Sequence, residues 1–180
     1  VNHGIFYEFI PSDEFFDEKP TRISLGDVEL GVNYVIILNT NAGLWGYREY
    51  CNTISVQSSS LTPIPVEMEV GYQDRFNVDQ GWLVEATAPS GLWVREEPVA
   101  TVYQNDTCNS GSDSEDCGEL AFITGNAGGM PTADDIDLGY VKLISPAISL
   151  DSTSTHYLHF SIWWKNIGGG TTPDDSLQIW

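Results

Sequence analysis

Basic residues are scarce in this sequence. Seven Lys and Arg face 26 Asp and Glu, which gives the 180-residue chain a formal net charge of −19 and an isoelectric point near 4.1. A field of that sign repels phosphate backbones and anionic lipid headgroups. Nucleic acid is therefore not expected as a partner.

Long apolar runs and helical periodicity are also missing. The apolar run YVIIL is far too short to span a bilayer, so we expect no membrane insertion. The N-terminus shows neither the basic region nor the cleavage site of a signal peptide. The chain begins without Met and ends on Trp180 within an apolar pattern, which suggests a fragment cut at both ends.

Glycine, proline and aromatic residues are plentiful instead. Seventeen Gly and nine Pro separate short runs rich in Val, Ile, Thr and aromatics, a pattern typical of β-rich proteins. No helix-length segment separates the runs in the second part of the chain, which predicts a two-sheet antiparallel sandwich of the jelly-roll kind. The six runs are GWLVEA, GLWVREEP, GELAFITG, YVKLISPAISL, HYLHFSIWWK and DSLQIW.

The run HYLHFSIWWK shows the clearest period of two. Leu158, Phe160, Ile162 and Trp164 alternate with a mixed set of residues, which predicts a half-buried antiparallel strand with these four side chains inside. Trp163 then lies on the opposite face. We expect it either to present a flat platform for a sugar ring or to pack on a neighbouring domain.

The composition changes near residue 50. Residues 1–48 contain two strand-like runs and an acidic connection that could hold a short helix. Residues 49–66 contain a Ser run and two prolines, which is typical of a linker or an edge strand. We therefore predict a short N-terminal α/β fragment over 1–48, a linker over 49–66 and a β-sandwich module over 67–180.

The predicted module contains several distinctive motifs. In order and spacing, FNVDQGW, GELAFITGNAGG, ADDIDLGYVKLISPAISL and DSLQIW resemble an accessory β-sandwich module of bacterial secreted multidomain hydrolases and, distantly, the extracellular MAM adhesion domain. The resemblance implies a concanavalin-like or jelly-roll fold, a secreted or cell-surface location, and adhesion, glycan or protein binding, or support of a neighbouring hydrolase domain. It also implies further strands after Trp180, so the sandwich is truncated and has an open edge.

The N-terminal part resembles an unrelated family. YEFIP and TNAGLWGYR, within residues 4–48, are similar to the segment before the nucleotide-binding motif of the auxin-responsive acyl-acid amido synthetases, which form acyl adenylates. The resemblance implies a ribose-binding Asp where Cys51 stands, and a thiol cannot replace a carboxylate as acceptor of two hydroxyl hydrogen bonds. We expect an inactive fragment of an ATP-dependent ligase, joined to the module in a chimeric gene model or by natural fusion.

Three cysteines allow one disulfide. Cys108 and Cys117 flank the polar loop NSGSDSED, and we predict that they are bridged while Cys51 is left over. Two surface thiols are the alternative. A bridge would indicate an oxidising compartment.

Carboxylates are concentrated in one stretch. Between Arg95 and Lys142 there are ten Asp and Glu and no Lys or Arg, so the stretch repels itself unless cations neutralise part of it. Ca²⁺ accepts six to eight such oxygen ligands in flexible geometry. We predict a possible calcium site at Asp79, Asp135 and Asp137, with Asp79 included because related sandwiches bring these loops together.

No catalytic motif is present in the sequence. His156 and His159 are three apart on a predicted strand and point to opposite faces, so they cannot jointly hold a metal. Neither a nucleophile elbow, a zinc-binding helix nor a Walker loop occurs. We predict no catalytic residues, and a chain that is not an enzyme.

Overall fold

The protein is mainly β in a computed structural model, which describes residues 30–31, 33–38, 46–47, 49–57, 65–66, 69–114, 116–131, 135–136, 138–148, 150, 152–166 and 176–180. These residues contain ten strands and no α-helix. The strands are β1 (Asn33–Leu38), β2 (Gly46–Tyr47), β3 (Tyr50–Ser55), β4 (Val70–Gly71), β5 (Leu83–Ala86), β6 (Trp93–Glu96), β7 (Thr101–Tyr103), β8 (Asp106–Asn109), β9 (Ala121–Thr124) and β10 (Val141–Ile144).

The strands are joined in pairs: β1 with β3, β2 with β4, β5 with β10, β6 with β9 and β7 with β8. All pairs after the first are antiparallel by register. The predicted mainly β, antiparallel fold is thus confirmed, and the arrangement is consistent with a β-sandwich. The jelly-roll strand order and the truncation stay predictions.

Four of the six predicted runs form strands. They are β5, β6, β9 and β10, and each pairs with a strand far away in the sequence. In the β5–β10 pair Leu83 lies opposite Ile144, and in the β6–β9 pair Val94 lies opposite Ile123. Ile123 is buried, as is Ala88 just after β5, and these two are the buried apolar residues of the described chain. Apolar side chains that lie directly opposite each other across the strands contribute to this pairing.

The hairpin β7–β8 was not predicted. Its two central residues, Gln104 and Asn105, have φ of 51° and 68°. Positive φ at both central positions is the signature of a type I′ turn, whose twist suits a two-residue hairpin. Asn commonly adopts this conformation, whereas Gln does so rarely, and a Gln at the first central position therefore does not predict such a turn.

The run HYLHFSIWWK differs most from the prediction. Residues 155–166 belong to no strand pair, and Leu158, Phe160, Ile162 and Trp164 are exposed by 72%, 55%, 52% and 49%. The prediction that these four side chains lie inside is wrong. Alternation buries one face only when a second layer covers that face, and no described residues provide that cover. Residues 176–180 of the last predicted run are also exposed and outside any strand.

Contacts divide the chain into two units. One comprises Val1–Val35 and Thr53–Ile64, and the other comprises Ile36–Asn52 and Pro65–Trp180. In the first unit the Gly31 N–H donates to the Val56 carbonyl at 2.7 Å. The grouping differs from the predicted boundaries, because residues 49–52 join the unit that contains the predicted module. The predicted linker also includes a strand, β3.

Candidate functional site

The loop that leads into β5, residues 72–82, is organised around the carboxylate of Asp74. Its Oδ2 accepts hydrogen bonds from Trp82 Nε1 at 2.8 Å and from the Tyr72 hydroxyl at 3.2 Å. Its Oδ1 accepts one from the Phe76 backbone N–H at 2.8 Å. Hydrogen bonds to an ionised acceptor are stronger than neutral ones, so these three donors fix the shape of the loop.

Tyr72 is held as a neutral hydroxyl. Burial raises its pKa well above the ordinary value, and the negative charge and hydrogen bond of Asp74 raise it further. A phenolate next to a carboxylate would be strongly disfavoured. Tyr72 therefore acts as a hydrogen-bond donor to Asp74 and is unsuited to the role of a general base.

Phe76 has a strained backbone at the centre of this loop. Its φ is 61°, a left-handed conformation that is rare for a bulky residue. Arg95 Nη1 donates to its carbonyl at 2.7 Å, and its ring packs edge-on against Trp82 at 5.5 Å and Phe122 at 5.1 Å. These contacts offset a conformation that on its own costs on the order of 1–3 kcal/mol.

A buried ion pair ties the loop to residue 49. The Glu49 side chain is fully buried, and the Arg75 side chain is 19% exposed. Arg75 Nη1 lies 3.5 Å from Glu49 Oε1 and donates to the Glu49 carbonyl oxygen at 3.0 Å. Asn77 Nδ2 also donates to Glu49 Oε1, at 3.4 Å. Glu49 is therefore an internal part of this unit.

The disulfide differs from the one predicted. Cys51 is bridged to Cys117 with the two Cα atoms 5.9 Å apart, and Cys108 is a free, half-buried thiol. The predicted Cys108–Cys117 bridge is wrong. Long-range packing brings residue 51 to residue 117: Asn77, which contacts Glu49, also donates to the Cys117 carbonyl at 3.4 Å.

The three predicted calcium ligands are only partly described. Asp79 Oδ1 accepts the Gly81 N–H at 2.9 Å, and Asp135 Oδ1 accepts the Ile136 N–H at 3.1 Å. Asp137 lies outside the described residues. Within the described ranges, no group of three or more His, Cys, Asp or Glu side chains could hold a metal ion. The calcium site therefore stays a prediction.

The acidic loop between Cys108 and Cys117 contains a carboxyl group, that of Asp113, whose pKa is raised. Burial raises the pKa of Asp113, and the negative charge of Asp116 adds to this, while the backbone N–H of Ser114 opposes it. That N–H donates to Asp113 Oδ1 at 2.6 Å, and the Ser114 hydroxyl donates to Asp116 Oδ2 at 3.3 Å. The hydroxyl of Ser114 and its N–H thus bind two neighbouring carboxylates.

Trp163 is exposed and anchored at its polar edge. Its side chain is 56% exposed, and its Nε1 donates to the Cys108 carbonyl in β8 at 3.3 Å. Two residues further on, Lys165 Nζ lies 2.7 Å from Asp106 Oδ1 at the other end of β8. Both contacts restrict the indole while leaving more than half of its surface accessible.

Sequence reasoning missed Asp74, Glu49 and Arg75, which organise the polar cluster of the 72–82 loop. Asp74 is close to the recognised motif FNVDQGW but outside it, and Glu49 was placed in the linker. The rarity of basic residues is the one sequence signal for this pair. Only seven Lys and Arg stand among 26 Asp and Glu, and an Arg that becomes buried needs an acidic partner.

Comparison with known proteins gives one partial match. A family model described as the GH3 family central domain matches residues 1–57. Most of these residues lie outside the described part of the chain, and the match ends before the Asp74 loop. A central domain is one that other domains flank, so the N-terminal segment resembles an internal piece of a multidomain protein. No curated protein and no solved structure matches the chain.

In the described ranges no helix has the length and apolar character needed to cross a bilayer.

Proposed function

We propose that residues 67–180, together with the strand around Cys51, form a non-catalytic β-sandwich module that binds a glycan or protein ligand or supports a neighbouring hydrolase domain. The proposal places the module outside the cell or on its surface. The Cys51–Cys117 disulfide supports this location, since disulfides persist mainly in oxidising compartments. The likeness of residues 1–57 to a central domain supports the presence of a neighbour in the full-length protein.

Trp163 is the observation that carries the binding proposal. A sugar ring packs its C–H face on an indole, and this needs an aromatic ring that is exposed and already oriented. Trp163 is 56% exposed, and its bond to the Cys108 carbonyl fixes its orientation. Because the indole is already oriented, its side chain loses less conformational entropy when a ligand binds.

Affinity electrophoresis of the chain in gels containing soluble polysaccharides tests the sugar platform. Trp163→Ala should abolish retardation by any polysaccharide that slows the parent chain. Trp164→Ala is the matched control, because Trp164 is exposed to a similar degree, 49%, whereas it is Trp163 that donates to the Cys108 carbonyl. Equal loss in both variants would contradict a specific role for Trp163, and retardation by no polysaccharide would leave a protein ligand or neighbouring domain as the partner.

Calcium binding is the second part of the proposal. It is supported by the ten carboxylates between Arg95 and Lys142 and by the oxygen-rich loops at Asp79 and Asp135. Limited proteolysis with intact-mass detection, with millimolar Ca²⁺ and with chelator, tests it. Ca²⁺ should protect a core that begins near residue 46, and Asp135→Asn should weaken that protection. Identical digestion patterns in the two conditions would refute the site.

A second candidate function concerns the N-terminal segment. The designation GH3 is used both for glycoside hydrolase family 3 and for the auxin-responsive acyl-acid amido synthetases. We propose the second sense for residues 1–57, and the motifs YEFIP and TNAGLWGYR inside the matched segment support it. In either sense we propose that the segment holds no complete catalytic site. ATP binding by a longer gene product, measured by calorimetry, would favour the synthetase, and its absence would favour the hydrolase accessory module.

A further inference from the structure

The exposed segment 157–165 retains the side-chain alternation of a strand. The rings of Tyr157 and His159 lie on one side of the chain, with their centroids 6.4 Å apart. Trp163 and Lys165, also two residues apart, both reach β8, at the Cys108 carbonyl and the Asp106 carboxylate. Residues two apart share a side only in an extended chain. The segment is thus shaped as a strand although its backbone is unpaired.

The contacts with β8 define a direction. Trp163 contacts residue 108, and Lys165 contacts residue 106. Moving two residues forward along the segment thus corresponds to moving two residues backward along β8. This is the relation of an antiparallel neighbour. The odd-numbered side chains near residue 165 therefore face β8. The even-numbered side chains form the opposite, apolar side, and all four are about half exposed or more: Leu158, Phe160, Ile162 and Trp164.

The apolar side of this segment is a contiguous exposed surface. Its two aromatic side chains, Phe160 and Trp164, offer roughly 150–250 Å² each when fully buried, and about half of each is exposed. With Leu158 and Ile162, which are also more than half exposed, the patch reaches on the order of 300 Å². That is the size of the largest apolar patch on a typical monomer, and such patches are often interaction sites.

The segment is complementary to itself. If two copies pair antiparallel with Ser161 opposite Ser161, Leu158 faces Trp164 and Phe160 faces Ile162 of the second copy, all on the apolar side. On the other side His159 faces Trp163, and Tyr157 faces Lys165, whose ammonium is paired with Asp106 of its own chain. No like charges oppose each other in this register.

The charge distribution also favours this segment as the contact. Residues 156–166 contain no carboxylate, although the chain has a net charge of −19. Two such chains repel each other, and the repulsion is weakest where a contact carries no negative charge. We propose that the chain forms a two-fold symmetric dimer by antiparallel pairing of residues 157–165, with Ser161 on the axis.

Cysteine substitution at the axis tests the proposal on the 180-residue chain. In a Cys108→Ser background, Ser161→Cys should cross-link into a covalent dimer under mild oxidation, because directly opposed Cβ atoms lie about 4.5–5.5 Å apart. Ser152→Cys, also exposed, is the matched control and should stay monomeric. Equal cross-linking of the two variants, or none in Ser161→Cys, would overturn the two-fold register.

Sedimentation gives an independent measurement without cysteine. The parent chain should sediment as a dimer, with dimerisation at least tenfold tighter at about 500 mM than at about 50 mM salt, because salt screens the repulsion. Phe160→Lys should sediment as a monomer with the circular dichroism of the parent, since residue 160 is already 55% exposed in the single chain. A parent chain that is monomeric at both salt concentrations would refute the proposal. The same holds if it is monomeric because residues 176–180 pair with this segment within one chain.

Discussion

Cys51 and Cys117 are covalently joined across 66 residues of sequence. Cys51 lies in β3, within the segment predicted to be a linker, and Cys117 ends the acidic loop before β9. The buried pair Glu49–Arg75 lies beside this bridge and shares Asn77 with it. Residues 49–51 are therefore integral to the folded unit.

Replacing both bridged cysteines by serine should lower the free energy of unfolding. A disulfide that closes a loop of this length restricts the unfolded chain and contributes about 2–5 kcal/mol. Urea unfolding without reductant, followed by tryptophan fluorescence, measures the loss. Cys108→Ser is the control and should leave the midpoint unchanged, because Cys108 is free. A loss with Cys108→Ser equal to that of the double variant would contradict the observed pairing.

Asp74→Ala should destabilise the 72–82 loop. It removes the acceptor of the Trp82, Tyr72 and Phe76 donors, and hydrogen bonds to charged groups contribute about 1.5–3 kcal/mol each, less what water recovers. We expect the free energy of unfolding to fall by about 3 kcal/mol in urea unfolding, against about 1 kcal/mol for Tyr72→Phe, which removes one donor alone. Equal losses in the two variants would show that Asp74 does not organise the loop.

The same variant should change the titration of Tyr72. Burial and then Asp74 raise the pKa of its hydroxyl, so removal of the carboxylate should lower that pKa part of the way to its ordinary value. Phenolate absorbance measured against pH, with Tyr72→Phe to identify the signal, gives the shift. An unchanged titration would mean that burial alone is responsible.

Glu49→Ala should be strongly destabilising, because it leaves Arg75 largely buried without its carboxylate. Breaking a buried ion pair from one side costs about 3–5 kcal/mol. The double variant Glu49→Ala and Arg75→Met should lose less unfolding free energy than the sum of the losses in the two single variants. A double-mutant cycle measures this difference. Additive losses would mean that the 3.5 Å contact has no coupling energy.

Asp113→Asn should raise stability near neutral pH and lose this effect in acid. Burial raises the folded-state pKa of Asp113, so the folded protein binds this proton at a higher pH than the unfolded chain does. The ionised carboxyl therefore destabilises the fold at neutral pH, and the penalty is relieved as pH falls through the folded-state pKa. Asn removes the penalty and keeps the oxygen that accepts from Ser114. Thermal unfolding midpoints at several pH values test this, and a pH-independent difference would contradict it.

Short runs rich in Val, Ile and aromatics, bounded by turn residues, predicted β5, β6, β9 and β10, and each of these strands has an antiparallel partner. The period-two pattern at residues 158–164 predicted burial that does not occur, since alternation specifies which face is apolar and says nothing about what covers it. The hairpin at Gln104 and Asn105 was missed because neither residue is glycine.

The candidate site was harder to predict than the strands. Sequence proximity favoured the Cys108–Cys117 pair, whereas the true partner of Cys117 is brought near only by the fold. Glu49 and Arg75 are 26 residues apart and share no periodic pattern that would connect them. Such a charge can be recognised as one half of a buried ion pair only when its burial is known. Burial depends on the tertiary structure.

The bridge between Cys51 and Cys117 makes the intervening polypeptide a closed covalent ring. A protease that cuts once anywhere within this ring, for example in the Ser-rich stretch after β3, leaves the two products joined through sulfur. Such a nicked molecule gains only the mass of one water and migrates with the intact chain until it is reduced. Cleavage in this region therefore changes the electrophoretic mobility only after a thiol reductant is added.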